Sequence, residues 1–134
     1  MSLSNEQWEF AKDVAMLIIY AEAHGFKLTM GEASRTKDQQ MLYVYGKEIE
    51  KVGDTIELVP GPIRSKTMKS DHLNRLAIDF NIFFDFDNDG DRDYVTDKAV
   101  TEELGTYWKS LNNKNYWGGD FTSFLDTPHF GRRI

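Results

Sequence analysis

The chain has 134 residues, no cysteine and a formal net charge of −6 at pH 7. That length predicts one domain over residues 1–134, and 40% hydrophobic with 13% aromatic residues is enough for a core. An acidic balance without a long basic run argues against nucleic acid and anionic membranes as partners, and the absence of cysteine excludes disulfides and thiolate metal sites.

Ser4 and Gln7 stand in capping-box spacing, which predicts a helix start. Trp8, Ala11, Ala15, Ile18 and Ala21 recur at helical intervals, and Gly25 suits the stop. His24 reads as a structural residue at that helix end. The apolar run from Val14 to Tyr20 is too short to cross a bilayer, so no membrane insertion is expected. The first six residues lack the basic segment of a signal peptide, which predicts cytoplasmic accumulation.

Phe26, Leu28 and Met30 alternate with polar residues and predict a short strand. A second helix is expected from Lys37 to Tyr45, ending at Gly46. Residues 47–69 read as a long connection broken by Pro60-Gly61-Pro62, and long irregular connections are often functional. Leu76 to Phe84 is the strongest strand signal. Leu76, Ile78, Phe80 and Ile82 would face the core, with Ala77, Asp79 and Asn81 on the other face.

Asp85, Asp87, Asp89, Asp91 and Asp93 then match the oxygen positions of the first half of an EF-hand calcium loop, with Gly90 at its turn. Thr96 replaces the bidentate glutamate, and a solvated hairpin connection is the competing reading. Mutual repulsion of five aspartates favours a bound cation, so calcium is carried as a candidate. Asp97 to Leu111 predicts a third helix, capped by Thr96 or Asp97. Residues 112–119 read as a turn and 121–130 as a loop and final strand. Helices flank strands without regular alternation, which points to an α+β fold.

The chemistry gathers in two segments. Ser70-Asp71-His72 is followed by Asp79, and Asp126-Thr127-Pro128-His129 closes the chain's last strand region. Two imidazoles, a carboxylate and a spare carboxylate are the parts of a hydrolytic zinc site. Spacing alone leaves a chance grouping equally open.

Ser70 to Phe80 resembles the S-x-H-x(6)-D signature of the zinc peptidases that cut peptidoglycan stem peptides. That family includes D-alanyl-D-alanine carboxypeptidases and phage L-alanyl-D-glutamate endopeptidases. Trp117-Gly118-Gly119-Asp120-Phe121 with Asp126 to Phe130 resembles its second signature, and Glu32 to Thr36 with Gln39 resembles its arginine-bearing segment. The short WGGD-type chain most resembles the phage endolysin branch. One departure is Asn74-Arg75, where glycine is usual; Asn74 is the residue expected to accept a left-handed turn.

The resemblance implies a hedgehog/DD-peptidase-like fold, with a small antiparallel sheet flanked by about three helices. It implies zinc on His72, Asp79 and His129, with Asp126 as general base and Arg35 facing substrate. Ser70 and Gln39 would bind substrate or support the site, Asp120 would partner a ligating imidazole, and Trp117 would wall the cleft. Blander alternatives are a turn-forming Asp126, a surface Arg35 and a core Trp117. The implied substrate is the peptidoglycan stem peptide. A D-alanyl-D-alanine carboxypeptidase and a non-catalytic metal module are the alternatives. If phage-encoded, the protein would reach the wall after release from the producing cell. No motif indicates an oligomeric state.

Overall fold

The computed structural model describes residues 2–134. Three helices, α1 (Leu3–Ala23), α2 (Lys37–Tyr45) and α3 (Lys98–Leu111), accompany a five-stranded antiparallel sheet. Its strands are β1 (Lys27–Met30), β4 (Ala77–Phe84), β5 (Asp93–Val95), β6 (Asn115–Trp117) and β7 (His129–Arg132). A separate hairpin pairs β2 (Lys47–Val52) with β3 (Thr55–Pro60). The architecture is α+β, and no helix among the described residues is long and apolar enough to cross a membrane.

The alternation in β4 organises the molecule. Leu76, Ile78, Phe80 and Ile82 are buried in the core, while Asp79 and Asn81 are only half-buried. β4 pairs with β1 over residues 80–83, with β7 over 77–79 and with β5 over 82–84. Phe10, Val14, Leu17 and Ala21 of α1 meet Leu104 and Trp108 of α3 and Phe130 of β7 in the same core. Burying each large apolar side chain contributes about 1.5–3 kcal/mol. Trp108 also orders its surroundings, because its Nε1 donates to the carbonyls of Tyr116 and Gly131 at 3.0 and 3.1 Å. That ties α3 to β6 and β7 together.

The buried face of α1 differs from the expected one. Trp8 is 65% exposed and Ile18 37%, whereas Phe10, Val14, Leu17 and Ala21 are buried. The true stripe is disguised by two buried acids, Glu6 and Asp13. Glu6 receives Lys114 Nζ at 2.5 Å and Arg132 Nε at 2.6 Å, and Asp13 accepts from Asn115 at 3.0 Å. This polar network joins the first helix to the last strand. The α1 cap is Ser2, whose hydroxyl accepts from the Asn5 amide, rather than Ser4.

Two further expectations change. The connection after Gly46 contains the β2–β3 hairpin, closed by a two-residue Gly53-Asp54 loop with Gly53 at φ 61°. Residues 112–119 contain β6. The left-handed residue after the first motif is Arg75, at φ 57°, rather than Asn74.

Candidate active site

Three donor side chains converge from three pieces of backbone. His72 sits on a 3₁₀ turn (Asp71–Asn74) whose entrance Ser70 caps, its hydroxyl accepting from the His72 amide at 3.3 Å. Asp79 projects from β4, and His129 begins β7 directly opposite it in the ladder. His129 Nδ1 is 3.1 Å and His72 Nε2 is 3.5 Å from Asp79 Oδ1, and the two imidazole rings meet edge to face at 5.0 Å. One ligand atom from each residue lies within 4.8 Å of the others. Two imidazoles and a carboxylate oxygen brought this close together fit a mixed nitrogen–oxygen metal site of the kind zinc favours.

The electrostatics agree with that convergence. Burial pushes the Asp79 carboxyl up, but the hydrogen bonds and charge of His129 and His72 outweigh it and hold it well below the usual carboxylate range. Asp79 is therefore an anion at neutral pH.

Asp126 is held beside this trio by a tight loop. Its Oδ2 lies 3.9 Å from His129 Nδ1, and the side chain is half exposed to the cleft. Its amide donates to the Gly118 carbonyl at 3.0 Å, and Trp117 Nε1 donates to the Thr127 carbonyl at 2.8 Å. A Cβ at Gly118 would stand 2.1 Å from the Asp126 carbonyl oxygen, so only glycine permits the loop to come this close. Burial raises the Asp126 carboxyl above its ordinary value, with Asp79 adding to the rise and His129 opposing it. A partly buried carboxyl with a raised pKa is suited to taking and returning a proton.

Arg35 closes the other wall. Its Nε and Nη2 pair with Glu32 Oε1, and its Nη1 donates to Gln40 at 2.6 Å and Ser70 at 3.3 Å. Three guanidinium N–H groups, on Nε and Nη1, are thus hydrogen-bonded, while Nη2 meets Glu32 as an ion-pair contact. Glu32 also accepts from Tyr43 at 3.0 Å, and the Tyr43 ring lies 4.8 Å from the Arg35 guanidinium. Gln40 is fully buried and fixes the 65–67 loop through Ser65 at 2.9 Å and the Thr67 carbonyl at 2.6 Å. Arg35, Ser70, His72, Asp79, Asp126 and His129 line one cleft of about 450 Å³ with Glu32, Tyr43, Arg64 and Ser65.

A family model described as D-alanyl-D-alanine carboxypeptidase matches residues 64–132. The chain belongs to this family. It is a peptidoglycan metallopeptidase. The fold is similar to that of the Serratia marcescens L-Ala D-Glu endopeptidase ChiX, with a TM-score of 0.58, 17% identity, and coverage of 90% of this chain and 78% of that one. No curated protein sequence matches the chain.

Several residues named from the peptidase sequence fall elsewhere. Gln39 lines a neighbouring groove with Leu42 and Lys47; the amide that braces Arg35 from behind the cleft is the buried Gln40, one position on. Trp117 is 1% exposed and belongs to the core, where it supports the Asp126 loop from behind instead of walling the cleft. Asp120 faces outward to Lys109 at 2.6 Å and Lys98 at 4.0 Å, so it partners no imidazole. Of the acidic loop, Asp85, Asp87 and Asp89 bring oxygens within 4.8 Å of one another, and Asp91 and Asp93 do not join them. Asp85 accepts from the amides of Asp89 and Gly90, which is the turn chemistry of a hairpin connection. His24 is remote from the cleft, beside Glu103 at 3.0 Å. The sequence does not mark Glu32, Tyr43, Arg64 and Ser65 as cleft residues, nor Gln40 as the support behind Arg35. The signal available for Gln40 was its place within one turn of the Thr36 cap, which puts it beside Arg35.

Proposed function

We propose that this peptidase is a zinc-dependent endopeptidase of the endolysin type, cutting the L-alanyl-D-glutamate bond of peptidoglycan stem peptides. The observation that carries the reading is the convergence of His72, Asp79 and His129 with the Asp126 carboxylate beside them. His72, Asp79 and His129 would hold the metal. Zinc in such a donor set supplies Lewis acidity, which makes water nucleophilic near neutral pH and polarises a peptide carbonyl.

The remaining work belongs to the chain itself. Asp126 Oδ2 accepts a proton from the attacking water and gives it to the leaving amine, so one carboxylate serves both halves of the reaction. Arg35, fixed by Glu32, Gln40 and Ser70, offers Nη2 to a substrate oxygen that gains negative charge. The endopeptidase choice draws on the structural neighbour, described as an L-Ala D-Glu endopeptidase. The description of the matching family favours a second reading, a D-alanyl-D-alanine carboxypeptidase with the same machinery.

Mass spectrometry of digested muropeptides separates them. Release of the stem with L-alanine left on the sugar supports the endopeptidase, and loss of terminal D-alanine alone supports the carboxypeptidase. Hydrolysis undiminished by a strong zinc chelator would sink the metal mechanism in both. As an endolysin the protein would meet its substrate on lysis of the producing cell.

A further inference from the structure

The Tyr116 hydroxyl lies 2.6 Å from Asp71 Oδ2 and 3.1 Å from His129 Nε2. A phenol has one proton to give, and an ionised carboxylate can only accept. The shorter contact, to Asp71, therefore takes that proton, and the Tyr116 oxygen is left to accept from His129 Nε2–H. Any proton on Nδ1 is held by Asp79 in the metal-free protein; once it leaves, the neutral imidazole keeps its single N–H on Nε2 and the lone pair falls on Nδ1. Nδ1 is the nitrogen that faces Asp79 at 3.1 Å. We propose that Asp71 and Tyr116 form a positioning relay that fixes His129 as its Nε2–H tautomer and so commits Nδ1 to the metal.

The fold is built to hold this phenol. Tyr116 of β6 pairs with Gly131 of β7, and a Cβ at Gly131 would stand 2.3 Å from Tyr116 Cζ and 2.4 Å from its hydroxyl. The ring thus lies across the one residue type that leaves room for it. Arg133 covers the ring with its guanidinium carbon 4.2 Å from the centroid. Asp71 sits on the turn next to His72, so the relay links the segment carrying one donor to the strand carrying another. It serves only one imidazole. His72 Nδ1 has no hydrogen-bond partner and lies 3.9 Å from the nearest Glu32 oxygen; His72 is held instead by complete burial.

The inference rests on the zinc reading above, and its test separates the two. Zinc affinity is measured by chelator competition for the wild type, Tyr116→Phe and Asp71→Ala, alongside the melting temperature of each metal-free protein. Tyr116→Phe is expected to weaken zinc binding by about 10- to 100-fold, the usual cost of losing an outer partner of a ligating histidine. Its metal-free melting temperature is expected to stay unchanged, because the ring remains. In nitrogen-resolved NMR of the zinc-loaded protein, the His129 Nε2–H signal present in the wild type is expected to shift and exchange faster in the variant. Asp71→Ala leaves the β6–β7 packing intact and gives the same readout should the first variant not fold. Unchanged zinc affinity and an unchanged Nε2–H signal in these variants would overturn the relay while leaving the zinc reading standing. A wild-type protein that takes up no zinc would overturn both.

Discussion

Asp79 and His129 are directly opposed across the β4–β7 ladder, with His129 Nδ1 3.1 Å from Asp79 Oδ1. A strand register thus sets the separation of two donors that lie 50 residues apart in the chain. Side chains alternate across a sheet, so a slip of one residue would send one donor to the opposite face. The site inherits its precision from the core-facing partners of the same strands, Ile78 and Phe130.

Asp79→Ala removes the only carboxylate of the trio. Zinc affinity is expected to fall by more than the roughly 100-fold that losing an outer partner costs. Equilibrium competition with a chelating dye measures this, and an affinity within a few-fold of wild type would exclude Asp79 as a ligand.

Asp126→Asn keeps the size of the side chain and removes its basicity. With Asp126 as general base, kcat on stem peptides is expected to fall by about 10²–10⁴-fold with zinc content unchanged. Steady-state kinetics paired with metal analysis checks both parts. A kcat near wild type would return Asp126 to the status of a turn residue.

Stability is expected to weaken in acid through Glu6. The hydrogen bond from Lys114 chiefly, with Arg132 adding to it, holds the Glu6 carboxyl below its ordinary value of 4.5. A depressed folded pKa stabilises the fold above the unfolded value and loses that contribution as pH falls through the folded one. Urea denaturation between pH 7 and pH 3 is expected to show this loss. Glu6→Gln is expected to be less stable at pH 7 and to show a shallower decline; an equally steep decline would place the linkage elsewhere.

Gly118→Ala places a methyl group against the Asp126 carbonyl. Overpacking of this kind costs on the order of 1–3 kcal/mol, here with displacement of the loop carrying Asp126. Thermal unfolding and peptide hydrolysis are both expected to suffer. A variant with wild-type melting and activity would show that the loop tolerates a side chain at this position.

Much of the site was legible because its residues recur in recognisable order. The β4 alternation was legible too, since Leu76, Ile78, Phe80 and Ile82 all face one core. The β2–β3 hairpin was not. Ile49, Ile56 and Leu58 are 60%, 75% and 66% exposed, so no buried face imposed a pattern on its sequence. The α1 stripe was misphased because Glu6 and Asp13 are buried against partners about 100 residues away. Tyr116 and Asp71 owe their pairing to a contact between distant segments, which leaves no local periodicity. Arg75 takes the left-handed turn because Asn74 is still inside the 3₁₀ turn.

The pairing of Glu6 with Arg132 and of Asp79 with His129 has a consequence for the order of synthesis. A nascent chain that has emerged only as far as β6 already carries His72 and Asp79, yet it lacks the third donor and the strand that aligns it. Translation through residue 132 is what completes both the candidate metal trio and the tie to the first helix. On the proposed zinc site, hydrolysis thus waits for the chain's last strand.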